Sequence, residues 1–219
     1  MSVARIGVLG DVHTHADRVA AALETFREVG VDRVLCCGDI VDGPGDLDRC
    51  IELLEAADAL VVAGNHERWA LAGTMRDLPN ATRVLSASTR RYLEALPQTA
   101  RIETPRGEAF ICHAVGEDDL FFLNADTRGY SLQPVMPILQ KLMLDPSLGY
   151  MVAAHTHHRM VRVFQGLVVI NAGTLHDDGP PGFIVADFAE GRVEVYDIED
   201  DRVVAREPLA LPEPPPLPL

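Results

Sequence analysis

Three short apolar runs in the first half of the chain each end in a glycine followed by a residue that can bind a metal. The runs are Arg5–Leu9, Arg33–Cys37 and Leu60–Ala63, and they are followed by Gly10-Asp11, Gly38-Asp39 and Gly64-Asn65. Helical patterns at about 16–29 and 46–57 separate them, which indicates buried parallel strands joined by right-handed crossovers. A glycine allows a sharp turn, and ligands of such sheets bind beyond the carboxyl ends of the strands. We therefore expect these three polar side chains to converge at one edge.

The second half of the chain is dominated by paired strands. Hairpins are predicted around Pro105-Arg106-Gly107 and over 159–170 and 183–198, with a helix at about 132–144 and a strand over 151–154. Together with the βαβ units, this order predicts a mixed two-sheet sandwich with helices outside. The length suits one domain, which we assign to residues 1–210. The proline-rich residues 211–219 are predicted to form an extended or disordered tail.

The histidines cluster at the ends of the predicted strands. Five of the eight occupy such positions, namely His13, His66, His113, His155 and His157, and the other three lie within five residues of a strand-end polar position. Carboxylate, imidazole and amide donors without a thiolate suit Mn²⁺, Fe or Zn²⁺. The donors are too many for one tetrahedral ion and suit two ions, about 3.5–4 Å apart, that share a carboxylate.

Five segments resemble, in order, the motifs of the calcineurin-like metallophosphoesterases. They are Gly10-Asp11-Val12-His13, Gly38-Asp39-Ile40-Val41-Asp42-Gly43, Gly64-Asn65-His66-Glu67, Cys112-His113 and Ala154-His155-Thr156-His157. A sixth segment, Asn171-Ala172-Gly173-Thr174, looks like a turn of the small bacterial and archaeal phosphodiesterases of that superfamily. The resemblance spans residues 5–175 and implies a four-layer αββα sandwich, an α/β fold in which helices flank two mixed β-sheets.

The resemblance also implies a role for each motif residue. Asp11, His13 and His157 would hold one metal ion, Asn65, His113 and His155 would hold a second, and Asp39 would bridge them. His66 would bind the phosphate with Asn65 and protonate the leaving oxygen, and Asp42 would orient the His66 imidazole. The implied enzyme is a phosphodiesterase or phosphatase that hydrolyses a small phosphorylated or nucleotide-like substrate through a metal-activated hydroxide. Mn²⁺ is the favoured ion, with Fe, Zn²⁺, Ni²⁺ and Co²⁺ as alternatives.

Two departures from the family patterns narrow the expected substrates. Protein Ser/Thr phosphatases of the superfamily carry phosphate-binding arginines where this chain has Gly43 and Ala63. Their loss argues against a protein phosphatase and makes a diadenosine-tetraphosphate-type hydrolase less expected. Arg68 and Arg128 are alternative phosphate contacts, although a solvated surface role is the favoured interpretation of each.

Net charge and the retained ligands distinguish the alternative functions. The formal charge of −14 makes a nucleic acid partner unfavourable, because an acidic surface repels phosphate backbones. A nuclease using the same site is an alternative that would need a basic groove or stacking aromatic residues. A non-catalytic metal-binding scaffold for protein interaction is another alternative, and the retention of His66 with every ligand favours catalysis over it.

Location is predicted from what the sequence lacks. There is no run of about 18 apolar residues and no signal-peptide pattern near the first residue. The four cysteines fit no zinc-ribbon spacing, and reduced, buried thiols are the favoured interpretation. These features predict a cytoplasmic protein without a membrane segment. A homo-oligomer is left open.

Overall fold

A computed structural model describes residues 2–217, and its helices and strands follow the predicted order. The elements are β1 (Arg5–Leu9), α1 (Ala16–Val29), β2 (Arg33–Cys36), α2 (Leu47–Ala56), β3 (Leu60–Val61), α3 (Asn65–Ala72), α4 (Ala87–Ala95), β4 (Ala100–Thr104), β5 (Gly107–Ile111), α5 (Met136–Met143), β6 (Leu148–Ala153), β7 (Met160–Phe164), β8 (Leu167–Asn171), β9 (Gly182–Asp187), β10 (Arg192–Glu199), β11 (Arg202–Ala205) and β12 (Leu209–Ala210). A 3₁₀ turn at Gly129–Leu132 precedes α5.

The strands form two mixed sheets. The first has the order β11-β10-β9-β1-β2-β3, with β12 beside β10. In it β1, β2 and β3 are parallel, and β9 runs antiparallel to β1. The second has the order β4-β5-β6-β8-β7, in which β5, β6 and β8 are parallel. This arrangement confirms the predicted mixed α/β fold with two mixed sheets flanked by helices.

Alternation along the strands places the core between and around the sheets. Ile6 and Val8 of β1 pack in the cluster between the two sheets, together with Ile111 and Val152 of the second sheet. Leu9 belongs instead to the cluster that β1 forms with α1 and α2. The helix α5 covers the outer face of the second sheet. Because both faces of the central strands are buried, their sequences read as nearly continuous apolar runs.

The carboxyl ends of parallel strands from both sheets meet at one end of the sandwich. The loop after β1 lies so close to the loop after β6 that a Cβ on Gly10 would be 2.4 Å from the Cβ of Ala154. A glycine is therefore required for this approach. The contact brings the turns that contain the predicted ligands of the two sheets together.

Two local expectations differ from the structure. Helix α3 begins at Asn65, directly after the third glycine, and the sequence pattern did not predict it. The predicted helix over 132–144 begins only at Met136, with Pro137 in its first turn. Proline lacks the N–H that a helix interior needs, so it is tolerated only near the helix start.

The sequence predicts an extended or disordered C-terminal segment; defined contacts hold it as far as residue 217, and residues 218–219 lie outside the described residues. Leu211 is buried in the cluster between the sheets, and its N–H donates to the carbonyl of Gly191 at 2.9 Å. The Tyr150 hydroxyl donates to the Pro212 carbonyl at 3.3 Å. Leu211 therefore anchors residues 211–217, which we call the strap. The prolines of the strap prevent it from pairing as a strand. Among residues 2–217, no helix is long and apolar enough to cross a membrane.

Candidate metal centre

The predicted ligands converge in two neighbouring groups that are linked through Asp39. Ligand atoms of Asp11, His13 and His157 all lie within 4.8 Å of one another, as do those of Asp39, His113 and His155. Asp39 also groups with His13 and His66 within the same limit. The amide oxygen of Asn65 lies 2.9 Å from Nε2 of His113. Asp39 thus stands between the two groups.

Asp11 provides a test of whether these residues fit a metal ion. Its side chain is fully buried, and its Oδ1 has no hydrogen-bond partner. The other oxygen, Oδ2, accepts from the backbone N–H of His155 at 2.8 Å. An unpaired buried carboxylate oxygen is unfavourable, and a cation held with the imidazoles of His13 and His157 would satisfy it. The donors therefore fit a divalent ion with oxygen and nitrogen ligands.

The four predicted histidine ligands are all oriented through their other ring nitrogen. The contacts are His13 Nδ1 with the Asp42 carbonyl (2.8 Å), His113 Nδ1 with the Cys37 carbonyl (2.6 Å), His155 Nε2 with the Leu120 carbonyl (3.2 Å) and His157 Nδ1 with the Asp178 carboxylate (2.6 Å). Because each acceptor can only accept, these nitrogens carry the hydrogen. The opposite nitrogen of each ring is left with the lone pair that a metal needs.

The ligand turns have unusual backbone geometry. Positive φ angles of 44–67° occur at Asp11, His13, Asp39, Asp42, His155 and His157. The chain makes tight left-handed turns at these ligand positions. Each such residue costs about 1–3 kcal/mol and persists only where surrounding contacts determine it. Two of those contacts are the hydrogen bonds from Asp11 N to Gly38 O (3.0 Å) and from His13 N to Asp39 O (2.8 Å).

Glu67 supports the turn that carries Asp39, a role that sequence reasoning missed. Its buried carboxylate accepts from the backbone N–H groups of Gly64 (2.7 Å), Asp39 (2.8 Å), Ile40 (2.7 Å) and Val41 (3.2 Å). Burial and the nearby Asp39 charge raise the pKa of Glu67. The spacing of Gly64 and Glu67 is that of a capping box, which is the signal that could have found it.

His66 is held by a carboxylate that is itself held by an arginine. Its Nδ1 lies 2.8 Å from Asp42 Oδ2, and its Nε2 lies 3.9 Å from Asp39 Oδ2. Arg76 donates to both oxygens of Asp42, at 2.7 and 2.9 Å, and Thr82 N donates to Oδ1 at 2.7 Å. Arg76 follows Asp42 by 34 residues and lies in no motif, so no sequence pattern pointed to it.

These contacts shift the pKa values of Asp42 and His66. Burial alone would raise the pKa of Asp42, but the hydrogen bonds from His66 and Arg76 bring it to about 2. Burial alone would lower the pKa of His66, and the hydrogen bond to Asp42 raises it above the usual range. Asp42 is thus an anion at neutral pH, and the His66 imidazole is favoured in its protonated form.

Protons compete for the predicted metal-binding nitrogens. Burial opposes the charge of His113, yet the Asp39 carboxylate raises its pKa to about 10. In the same way, Asp11 and Asp178 overcome burial and raise the pKa of His157 to about 9. Burial would raise the pKa of Asp39, but the neighbouring imidazoles, His113 foremost, hold it below its usual range. The carboxylates therefore attract positive charge into the centre.

The centre opens into a cleft of about 620 Å³ with aromatic rings beside it. The Trp69 ring lies 4.8 Å from the His66 ring, and the Phe122 ring lies 4.6 Å from the His155 ring. Phe122 is 60% exposed. His158 also lines the cleft.

No arginine or lysine lines the cleft within residues 2–217. Of the two suggested phosphate contacts, Arg68 pairs instead with Asp119 at 2.7 Å, and Arg128 does not line the cleft. The cleft therefore offers anionic, imidazole and aromatic groups, without the guanidinium groups that bind several phosphates at once.

A family model described as the calcineurin-like phosphoesterase superfamily domain matches residues 4–191. The chain belongs to that family. A metallophosphoesterase from Sphaerobacter thermophilus has a similar structure, with 20% identity, a TM-score of 0.62 and coverage of 90% of this chain and 89% of that one. A hypothetical protein from Pyrococcus horikoshii is similar too, with 16% identity, a TM-score of 0.70 and coverage of 89% and 88%. These likenesses concern the fold.

One curated relative is an uncharacterized protein of Methanocaldococcus jannaschii. It is 27% identical over 101 residues, which are 42% of this chain and 42% of the relative. The match thus spans less than half of either protein. Membership of a phosphoesterase family and the grouped His and Asp side chains support a metal-binding hydrolase.

Proposed function

We propose that the chain hydrolyses small phosphodiesters with two divalent ions, Mn²⁺ foremost, and with His66 as the general acid. The observation that carries this proposal is the position of Asp39 between two groups of ligand atoms. Asp11, His13 and His157 would hold one ion, Asn65, His113 and His155 the other, and Asp39 both. When bound, two such ions would activate water and neutralise charge on the phosphoryl group.

The surroundings of His66 support its role as proton donor. Its Nδ1 is engaged by Asp42, so Nε2 is the nitrogen free to face a substrate oxygen. The hydrogen bond to Asp42 raises the pKa of His66, which favours the protonated imidazole that a general acid needs. Arg76 holds Asp42 by two hydrogen bonds and thereby fixes the direction of the imidazole.

The cleft favours a monoanionic diester with a flat ring over a monoester or a polyphosphate. The latter two bring additional negative charge, and the described cleft lining has no arginine or lysine to match it. Trp69 and Phe122 offer ring faces on which a planar substituent can stack. Stacking rings would also serve a nuclease, but the absence of basic residues from the described lining and the net charge of −14 disfavour a nucleic acid.

The test of catalysis is hydrolysis of bis(p-nitrophenyl) phosphate with Mn²⁺, which we expect to stop when a chelator removes the metal. A His66→Ala variant should lose about 10²–10⁴-fold in kcat. It should still bind two Mn²⁺ ions, since His66 is not proposed as a ligand. Full activity of the variant would show that His66 is not the acid, and inactivity of the wild type would oppose the hydrolase proposal and favour the scaffold alternative.

The test of substrate class compares two diesters that share one leaving group. We expect phenyl p-nitrophenyl phosphate to have a higher kcat/KM than methyl p-nitrophenyl phosphate, by about 2–10-fold for one aromatic contact. The monoester p-nitrophenyl phosphate should be the poorest of the three. Faster cleavage of single-stranded DNA than of these diesters at moderate salt would instead support the nuclease.

A cytoplasmic location is part of the same proposal. All four cysteines are buried and unpaired. Burial raises the pKa of Cys50 and Cys112 to about 12, so these thiols are unreactive at neutral pH. Reduced thiols of this kind are typical of a reducing compartment.

A further inference from the structure

Of the four contacts that orient the predicted histidine ligands, only one uses a charged side chain. His13, His113 and His155 each face a backbone carbonyl, whereas His157 faces the carboxylate of Asp178 at 2.6 Å. Asp178 lies after strand β8 and belongs to no motif found in the sequence. A carboxylate is the stronger acceptor, and hydrogen bonds with a charged partner are roughly twice as strong as neutral ones.

We propose that Asp178 is a positioning residue of the metal centre. Through the Nδ1–H of His157 it fixes the imidazole with Nε2 toward Asp11, whose Oδ1 lies 3.5 Å away. It also strengthens the donor character of Nε2, because the carboxylate draws the Nδ1 proton toward itself. This inference rests on the proposed metal centre and adds a residue that acts on only one of the two groups.

Contacts with neighbouring residues fix the position of Asp178. Its carboxylate Oδ1 lies 3.1 Å from Nδ1 of His176, and its N–H donates to the same nitrogen at 3.3 Å. The His176 backbone N–H in turn donates to the hydroxyl of Thr174 at 2.8 Å. Thr174 is anchored by donating to the carbonyl of Asp11 at 3.1 Å. The segment is therefore tied to the strand end that carries the first ligand.

A third ion is the competing explanation, because ligand atoms of His157, His176 and Asp178 also lie within 4.8 Å of one another. Such an ion would need Nδ1 of His157, which is already occupied by its hydrogen bond, while Nε2 faces Asp11. Only two donors would remain free for it. The geometry thus favours a positioning contact over a further ligand set.

The test is titration of chelator-stripped protein with Mn²⁺ by calorimetry. Wild type should bind two ions, and Asp178→Ala should weaken one of them by about 10–100-fold while leaving the other unchanged. Asp178→Asn, which keeps a neutral acceptor, should have an affinity for that ion between those of wild type and Asp178→Ala. Asp177→Asn is the matched control, since the neighbouring carboxylate pairs with Arg18 and should leave both affinities unchanged.

A double-mutant cycle separates positioning from a general structural effect. If Asp178 acts through the imidazole, Asp178→Ala should have no further effect on Mn²⁺ affinity in a His157→Ala background. The metal-free single variant should unfold at a urea concentration only slightly below that of wild type, because it loses the pair with His157 but the Asp178 side chain is 51% exposed. An equal loss of affinity in both backgrounds would contradict the positioning role.

Three outcomes of the Mn²⁺ titration would also overturn the inference. Two unchanged affinities in Asp178→Ala would overturn it alone and leave the metal centre standing. Binding of three ions by wild type and two by the variant would make Asp178 a ligand. Failure of wild type to bind two ions would overturn the proposed centre and this inference together.

Discussion

At the scale of single residues, the candidate centre depends on side chains that hold the backbone around it. Glu67 is the most concentrated example, because one buried carboxylate satisfies four N–H groups across two segments. Those segments carry Asp39 and His66, which have different roles in the proposed reaction. The position of Asp39 relative to His66 is therefore determined by a residue that contacts no substrate.

Replacing Glu67 by alanine should destabilise the protein by about 2–4 kcal/mol, because several buried N–H groups would lose their acceptor. Urea unfolding of the metal-free protein measures the change in the free energy of unfolding. Glu52→Ala is the control, since that glutamate is 65% exposed and should change stability by no more than about 0.5 kcal/mol. Equal stability of the two variants would contradict the supporting role of Glu67.

Sequence and structure agree most closely where a residue type carries a chemical requirement. Histidines at strand ends indicated the clustering of His113 and His155, and the structure places their ring nitrogens 3.1 Å apart. Arg76 and Asp178 escaped prediction because they act through one hydrogen-bonded neighbour and come from loops without a sequence pattern. Only the folded loops bring them to Asp42 and His157.

At the scale of elements, the strand-to-loop turns determine the centre. The first-half repeat of apolar run, glycine and polar residue predicted these turns, because it combines buried strands with a requirement for close backbone approach. That prediction did not include helix α3. Its first residue is Asn65, so the third donor lies at a helix start rather than in a loop. A strand as short as Leu60–Val61 does not indicate whether a loop or a helix comes after it.

Gly64 offers the sharpest test of this element. A Cβ there would lie 2.2 Å from Oδ1 of Asp39, although its φ of −102° suits alanine. Gly64→Ala should therefore displace Asp39 and lower Mn²⁺ affinity by at least about tenfold, the scale seen when the support of a ligand is lost. Calorimetric titration measures the affinity, and a far-UV circular dichroism spectrum like that of wild type would show that the variant folds.

Gly73 is the matched control for Gly64, at the other end of the same helix. It has a φ of 68° and open space around its Cα, so alanine there should cost only about 1–2 kcal/mol of stability through backbone strain. The Gly73→Ala variant should bind Mn²⁺ with the same affinities as wild type. Unchanged Mn²⁺ binding by Gly64→Ala would show that Asp39 can move aside without loss.

At the scale of the whole molecule, the two ends of the sandwich have different structural roles. The carboxyl ends of the parallel strands carry the candidate centre. The amino ends are closed by the strap of residues 211–217, which contacts the turn before β10 through Gly191 and the turn before β8 through Gly166. The strap therefore joins both sheets. Composition alone left extended and disordered structure both open there, because a proline-rich segment does not reveal that one leucine fits a gap between two sheets.

Leu211 is the anchor of that strap and carries the last prediction. Its side chain is 1% exposed in the cluster between the sheets, so Leu211→Ala should lower the free energy of unfolding by about 2–4 kcal/mol. Leu209→Ala, two residues earlier and 38% exposed, should cost about 0.5 kcal/mol or less. Both variants should keep wild-type Mn²⁺ affinities, because the strap lies at the end of the sandwich opposite the ligands. Equal urea midpoints for the two variants would mean that the strap lies on the surface without closing the core, and weakened metal binding in Leu211→Ala would mean that the two ends are coupled through the sheets.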